Sequence, residues 1–154
     1  MSEKKSLLII SLVFFLLLIT LAFTNTDGYG GADSFQHYMI SRYSWKHPHL
    51  FLDHWGKPFF TLLSSPFSQF GYKGLFFFNV VVTVLSGLIA GRIASKLKNE
   101  NAHLAALFFL AMPMVILVSI SALTEPLFGF VLVLSVWLFS EKKYLFSLLL
   151  LSFL

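Results

Sequence analysis

Apolar and polar positions along the chain fall into blocks rather than into a fine alternation. Leu7–Thr24 and Gly74–Gly91 carry no charged residue, and Ala102–Leu123, Pro126–Ser140 and Tyr144 onward are nearly as apolar. Hydrophobicity on all sides of segments this long predicts membrane helices rather than the half-buried helices or strands of a soluble core. The predicted spans are 7–24, 74–97, 102–123 and 126–140. A fifth begins at 144 and is still running at 154, short of the roughly 20 residues a crossing needs. No glycine, cap or polar flank closes it. The chain therefore reads as an all-α, polytopic transmembrane module, the N-terminal part of a longer protein.

One polar block interrupts this pattern. Residues 25–73 hold all three aspartates and four of the five histidines. Two helices can be joined by a few residues, so a loop this long and this polar points to a site at the membrane surface. Within it, Gly28, Gly30 and Gly31 predict a turn. From Asp33 a helical spacing places Phe35, Met39, Ile40 and Tyr43 on one face, with Tyr38, Tyr43 and Trp45 suited to headgroup depth. Pro48 ends that pattern. Gly56-Lys57-Pro58 starts a second, with proline in the first turn. Two short interfacial helices are thus predicted in the outer loop.

Composition sharpens the class. The chain is 57% hydrophobic and 12% charged, with a mean hydropathy of +0.81, against about 25% charge in soluble domains. It contains no cysteine, which excludes disulfides, thiolate metal sites and a cysteine nucleophile. The net charge of +4 does not point to nucleic acid, because Lys and Arg flank apolar runs, where they orient a membrane protein. Lys4, Lys5, Arg92, Lys96, Lys98, Lys142 and Lys143 all reach the cytoplasmic side if the N-terminus is inside, 25–73 outside, 96–101 inside, 119–125 outside and 141–143 inside. In the outer loop Arg42, Lys46, Lys57 and Lys73 are nearly balanced by Asp27, Asp33 and Asp53. The first apolar run exceeds the roughly 7–15 residues of a signal h-region, and Phe23 follows its only small pair, Thr20 and Ala22. It reads as an uncleaved anchor.

Three residues stand out chemically. Asp33 is a carboxylate just above the membrane, able to take a proton from an acceptor or to hold a metal. With Gln36 three residues on, it also fits a capping box. Lys57 precedes Pro58 at a helix start, where free N–H groups and a full positive charge suit a phosphate; a lysine bound to lipid headgroups is the plainer reading. Glu125 lies in Thr124-Glu125-Pro126, as an ionisable residue at a membrane edge or as first-turn filler behind a Thr124 cap. His47, His49, Asp53 and His54 cluster in sequence but match no zinc spacing, and read more simply as interfacial side chains. Arg92 snorkels to the inner face. No phosphate-cradling glycine loop, nucleophile elbow or HExxH motif occurs.

The order of Gly31-Ala32-Asp33, then Trp55-Gly56-Lys57-Pro58, then Thr124-Glu125-Pro126 resembles the N-terminal part of the GT-C class of membrane glycosyltransferases. It is most similar to the protein mannosyltransferase and aminoarabinose transferase group, glycosyltransferase family 39 and its relatives. The resemblance covers essentially the whole chain. It implies transfer of a sugar, with inversion, from a polyprenyl-phosphate carrier to a lipid, glycan or protein acceptor at the outer face of a bacterial inner membrane. It implies catalytic roles for Asp33 and Glu125 and substrate contacts from Lys57, Pro58, Trp55 and His54. A divalent metal is compatible with the family and not required by these residues. Two departures stand out: Ser34 follows Asp33 where members often have a second acid, and Gly56 precedes Lys57 where some have one. The family's later helices and C-terminal domain lie outside this stretch, so the piece alone is expected to be inactive. The competing readings are a transporter piece, which would want broken helices or charges at mid-membrane, and a non-catalytic assembly subunit.

Overall fold

The computed structural model describes residues 3–25, 29–97 and 101–152. Asp27, Gly28 and Lys98 lie outside the described residues. The described residues form eight α-helices: α1 (Glu3–Thr24), α2 (Gly31–Tyr43), α3 (Pro58–Ser68), α4 (Tyr72–Lys96), α5 (Ala102–Ala111), α6 (Pro113–Ser119), α7 (Glu125–Ser140) and α8 (Tyr144–Leu151), with a 3-10 turn at Pro48–Leu52. Among the described residues there is no strand, only an isolated bridge between Tyr29 and Ser121. The all-α architecture follows the block pattern of the sequence.

Among the described residues two helices are long and apolar enough to cross a membrane, α1 with 22 residues and α4 with 25. At 1.5 Å per residue they reach beyond the roughly 30 Å of a hydrocarbon core. The segment predicted as one span, 102–123, is instead broken. Residue Met112 is extended (φ −64°, ψ 125°), the conformation that a following proline favours. Pro113 then opens α6 at a bend of 64°. Helix ends at Ser119 rather than 123. If the bent pair counts as one crossing, the spans number three. The 16 residues of α7 reach only about 24 Å, and α8 ends at Leu151.

Helix α4 is the central element, packed against α1, α5 and α7. Its most apolar window is 61% buried, against 22% for α1, so α1 lies at the periphery. Close approach rests on small residues. A Cβ at Gly87 would lie 2.7 Å from Leu110, and one at Gly91 2.5 Å from Leu7. Leu18, Ala22, Phe76, Val80, Leu127 and Val131 fill the core between α1, α4 and α7.

Polar contacts fix which helix ends lie together. At one end Ser95 donates to Glu3 at 3.0 Å, and the Lys96 ammonium meets Glu141 at 2.6 Å. This pairing holds the Glu141 carboxyl below its usual range. At the other end Lys73 donates to the carbonyl of Ala22 at 2.7 Å and to that of Asn25, closing the C-terminus of α1. Arg42 does the same for α3, donating to Ser68 O at 3.0 Å and to Gln69 O.

Helices α2 and α3 form the polar end layer, joined by a 2.9 Å bond between the Ser41 and Ser64 hydroxyls. The inward face of α2 is mainly polar. Ser34, His37, Ile40 and Ser41 are buried, while Phe35 and Tyr43 are exposed. Small hydroxyl residues let α2 and α3 approach closely and bond, and the aromatic rings turn outward. The helix ends at Tyr43, ahead of Pro48, which opens the 3-10 turn instead. Pro66 sits inside α3. Proline at 66 cannot donate to Leu62 O, and the Ser65 hydroxyl takes that carbonyl at 3.2 Å.

Candidate functional site

Three contacts bring the first polar loop onto the α6–α7 connection. Tyr29 bridges Ser121. Gly30 lies against Leu123, where a Cβ would meet the side chain at 2.8 Å. Its φ of +99° is one that glycine adopts without strain. Ser34, fully buried, accepts from the Tyr72 hydroxyl at 2.7 Å and from the Ala122 N–H at 2.7 Å. From below, Asn79 of α4 donates to the carbonyls of Ser121 at 2.7 Å and Leu123 at 2.9 Å. Asp33 and Glu125, remote in sequence, therefore line the same cavity of about 660 Å³.

Neither carboxylate is a helix cap. Helix α2 starts at Gly31, with Gly30 at the N-cap and no side-chain cap bond, so Asp33 lies in the first turn and the capping box does not form. Thr124 occupies the N-cap of α7, as the sequence suggests, again without a side-chain bond, and Glu125 and Pro126 follow in the first turn. Asp33 and Glu125 are both exposed at the cavity mouth. Below them the wall is made by Thr83 and Ser86 of α4, Phe109 of α5 and Met114 and Val118 of α6. Thr83 and Ser86 lie about 16–21 Å along α4 from its start. The cavity is thus carboxylate-rimmed at one end and lined mainly by apolar side chains in its depth.

Lys57 and Pro58 open onto a second cavity of about 350 Å³, shared with Thr124, Leu127 and Phe128. The Thr124–Pro126 turn therefore separates the two cavities. Lys57 is the N-cap of α3 with φ 56° and ψ 102°, a positive φ that is uncommon for a side-chain-bearing residue and marks local strain. Among the described residues its ammonium makes no hydrogen bond or ion pair, unlike Arg42 and Lys73, which are committed to carbonyls. Gly56 is buried, and a Cβ there would lie 2.6 Å from Ile40 and 2.8 Å from Thr61, so the chain has no room for an acidic side chain before Lys57. Ser34 explains the other departure: its hydroxyl accepts two bonds in a fully buried position.

The remaining sequence candidates are elsewhere. Trp55 and His54 are exposed and line neither cavity. The Asp53 carboxylate accepts the backbone N–H groups of Trp55 at 2.8 Å and Gly56 at 3.0 Å, a local turn bond that shapes the approach to Lys57. His47 and His49 pack ring to ring at 6.0 Å. Among the described residues no group of three or more His, Asp or Glu side chains is gathered as metal ligands.

Sequence reasoning passed over His37, yet all three charged candidates act on it electrostatically. It is 8% exposed, its ring meets Phe60 edge-on at 5.8 Å, and its Nδ1 is buried without a partner. Burial holds the imidazole below the ordinary histidine value. Glu125 and Asp33 act to raise it, and Lys57 to lower it. The signal that could have found it is its place one turn after Asp33 on the same helix face.

The chain matches no family model, no curated protein and no solved structure.

Proposed function

We infer that this chain is the donor- and acceptor-binding module of a membrane glycosyltransferase that uses a polyprenyl-phosphate sugar, with a GT-C-like arrangement inserted in a bacterial inner membrane. The observation that carries the reading is the shared cavity of Asp33 and Glu125, which continues along α4 between mainly apolar walls. A lipid-linked donor needs its phosphate at headgroup depth and its chain among helices. Lys57 supplies an uncommitted ammonium beside the second cavity, at a helix start whose N–H groups suit an anion. Asp33 takes the acceptor's proton while the acceptor oxygen or nitrogen bonds to the anomeric carbon. The C–O bond to phosphate breaks, and polyprenyl phosphate leaves with the electron pair. Glu125 orients the acceptor from the other side. Trp55 and His54, outside both cavities, have no part in this scheme, and no step is routed through a metal.

The test is donor affinity for the chain in lipid nanodiscs, with undecaprenyl phosphate as probe. Lys57→Ala should weaken binding about 10- to 100-fold, the worth of one charge-assisted contact of roughly 1.5–3 kcal/mol. Lys46→Ala, exposed on the same layer, is the control. Equal losses that vanish in salt would mean both lysines only sense anionic lipid, and the assignment would fail.

A transporter is the second reading, favoured by the 64° break at Met112–Pro113, since transporters build sites from interrupted helices. Solute flux into proteoliposomes without any sugar transfer would select it.

A further inference from the structure

A histidine buried for packing alone normally satisfies both ring nitrogens. His37 does not: its Nδ1 is buried with no partner. It lies one helical turn beyond Asp33 on α2, and Phe60 closes one side of the ring. The charges that act on it electrostatically come from three elements, Asp33 from its own helix, Lys57 from the start of α3 and Glu125 from the start of α7. Of the other titratable groups packed nearby, Tyr72 of α4 is committed to Ser34, and His49 of the 3-10 turn packs on His47. A buried neutral imidazole keeps one nitrogen able to accept a proton. Here that capacity is buried on α2, one turn from Asp33.

We propose that His37 is the proton-holding partner of the Asp33–Glu125 pair. On the transferase reading above, it is a positioning residue that receives, through the carboxylates, the proton released by the acceptor. The balance is direct: the acceptor loses a proton, Asp33 takes it as the glycosidic bond forms, His37 becomes imidazolium, and the proton passes to solvent after the phosphate-bearing product leaves. The carboxylates return to their acceptor-ready state without waiting for bulk water.

The experiment has two arms. In the first, nitrogen-15 histidine spectra of the chain in nanodiscs follow each imidazole with pH, and the His37 signal is assigned by its loss in His37→Gln. Asp33→Asn and Glu125→Gln should each lower the His37 midpoint, because each removes a charge that favours the imidazolium. Lys57→Met should raise it. These three variants keep His37 in place, so the readout survives if His37→Gln folds poorly. A midpoint unmoved by both carboxylate variants overturns the proposal. In the second arm, sugar transfer by the full-length protein is measured against pH. His37→Gln should slow transfer roughly tenfold, less than the ~10²–10⁴ of a general base, and should remove the acid limb of the profile, which His47→Gln should keep. An unchanged acid limb overturns the relay. Coupled titration with no sugar transfer would sink the transferase reading and leave His37 as the pair's proton-holding partner.

Discussion

Asp33 is the residue on which the proposed chemistry turns. Asp33→Asn keeps the side-chain shape and removes the base. In the full-length protein it should cut transfer by about 10²–10⁴ with membrane insertion unchanged, read by activity and by membrane fractionation; near-normal turnover would remove Asp33 from the mechanism. Ser34 makes the contrasting prediction. Ser34→Ala leaves the buried Ala122 N–H and the Tyr72 hydroxyl without their acceptor. That should cost about 1–3 kcal/mol in chemical denaturation, and activity should fall because the Asp33–Glu125 cavity loosens. His37 adds a pH effect on stability. Its pKa is depressed in the folded chain from the ordinary 6.5. As pH falls below about 6.5 the unfolded chain binds a proton that the folded chain refuses, so stability drops until the folded pKa is reached. His37→Gln should flatten that drop in denaturation curves. Asp33, Lys57 and Glu125 stand out in the sequence as charges beside helix starts, and the structure places Asp33 and Glu125 on one cavity and Lys57 on the next. His37 does not stand out. The spacing placed Phe35, Met39, Ile40 and Tyr43 on one face without saying which side of the helix is buried. At a bilayer surface the outside is apolar too, so large rings can face out and hydroxyls and imidazole can face in.

At the scale of elements, the apolar blocks gave α1 and α4 nearly to their ends, since length and all-round hydrophobicity decide a long helix. The 102–123 block failed for a local reason that hydropathy does not weigh: Pro113 forces Met112 out of helical geometry. Its bend brings Met114, Val115 and Val118 to the wall of the larger cavity. Pro113→Ala should let α5 and α6 run on, and the cavity should shrink. The measurable result is weaker protection by lipid probes of a cysteine placed at Met114, with α-helical circular dichroism unchanged or slightly increased. Unaltered protection would show that the break does not shape the cavity. The α2–α3 layer was foreseen as two short helices, but its register was not, because the Ser41–Ser64 bond pairs residues of two helices, which no single-helix pattern contains.

For the whole molecule, the contacts among Glu3, Ser95, Lys96 and Glu141 gather one set of helix ends, and those among Tyr29, Ser34, Ser121 and Ala122 gather the other. The positive-inside pattern then predicts that the first set faces the cytoplasm. Cysteines at the exposed positions Phe70 and Leu97 should label from opposite sides of sealed vesicles; labelling of both from one side would discard the membrane arrangement. The clasp from Lys73 to Ala22 and Asn25 also has a consequence in time. Its partners are 51 and 48 residues apart, a stretch that takes roughly 3–10 s to synthesise at ~5–20 residues per second. If α1 enters the bilayer as it emerges, its last carbonyls stay unclosed throughout that interval, until Lys73 at the start of α4 arrives to lock them.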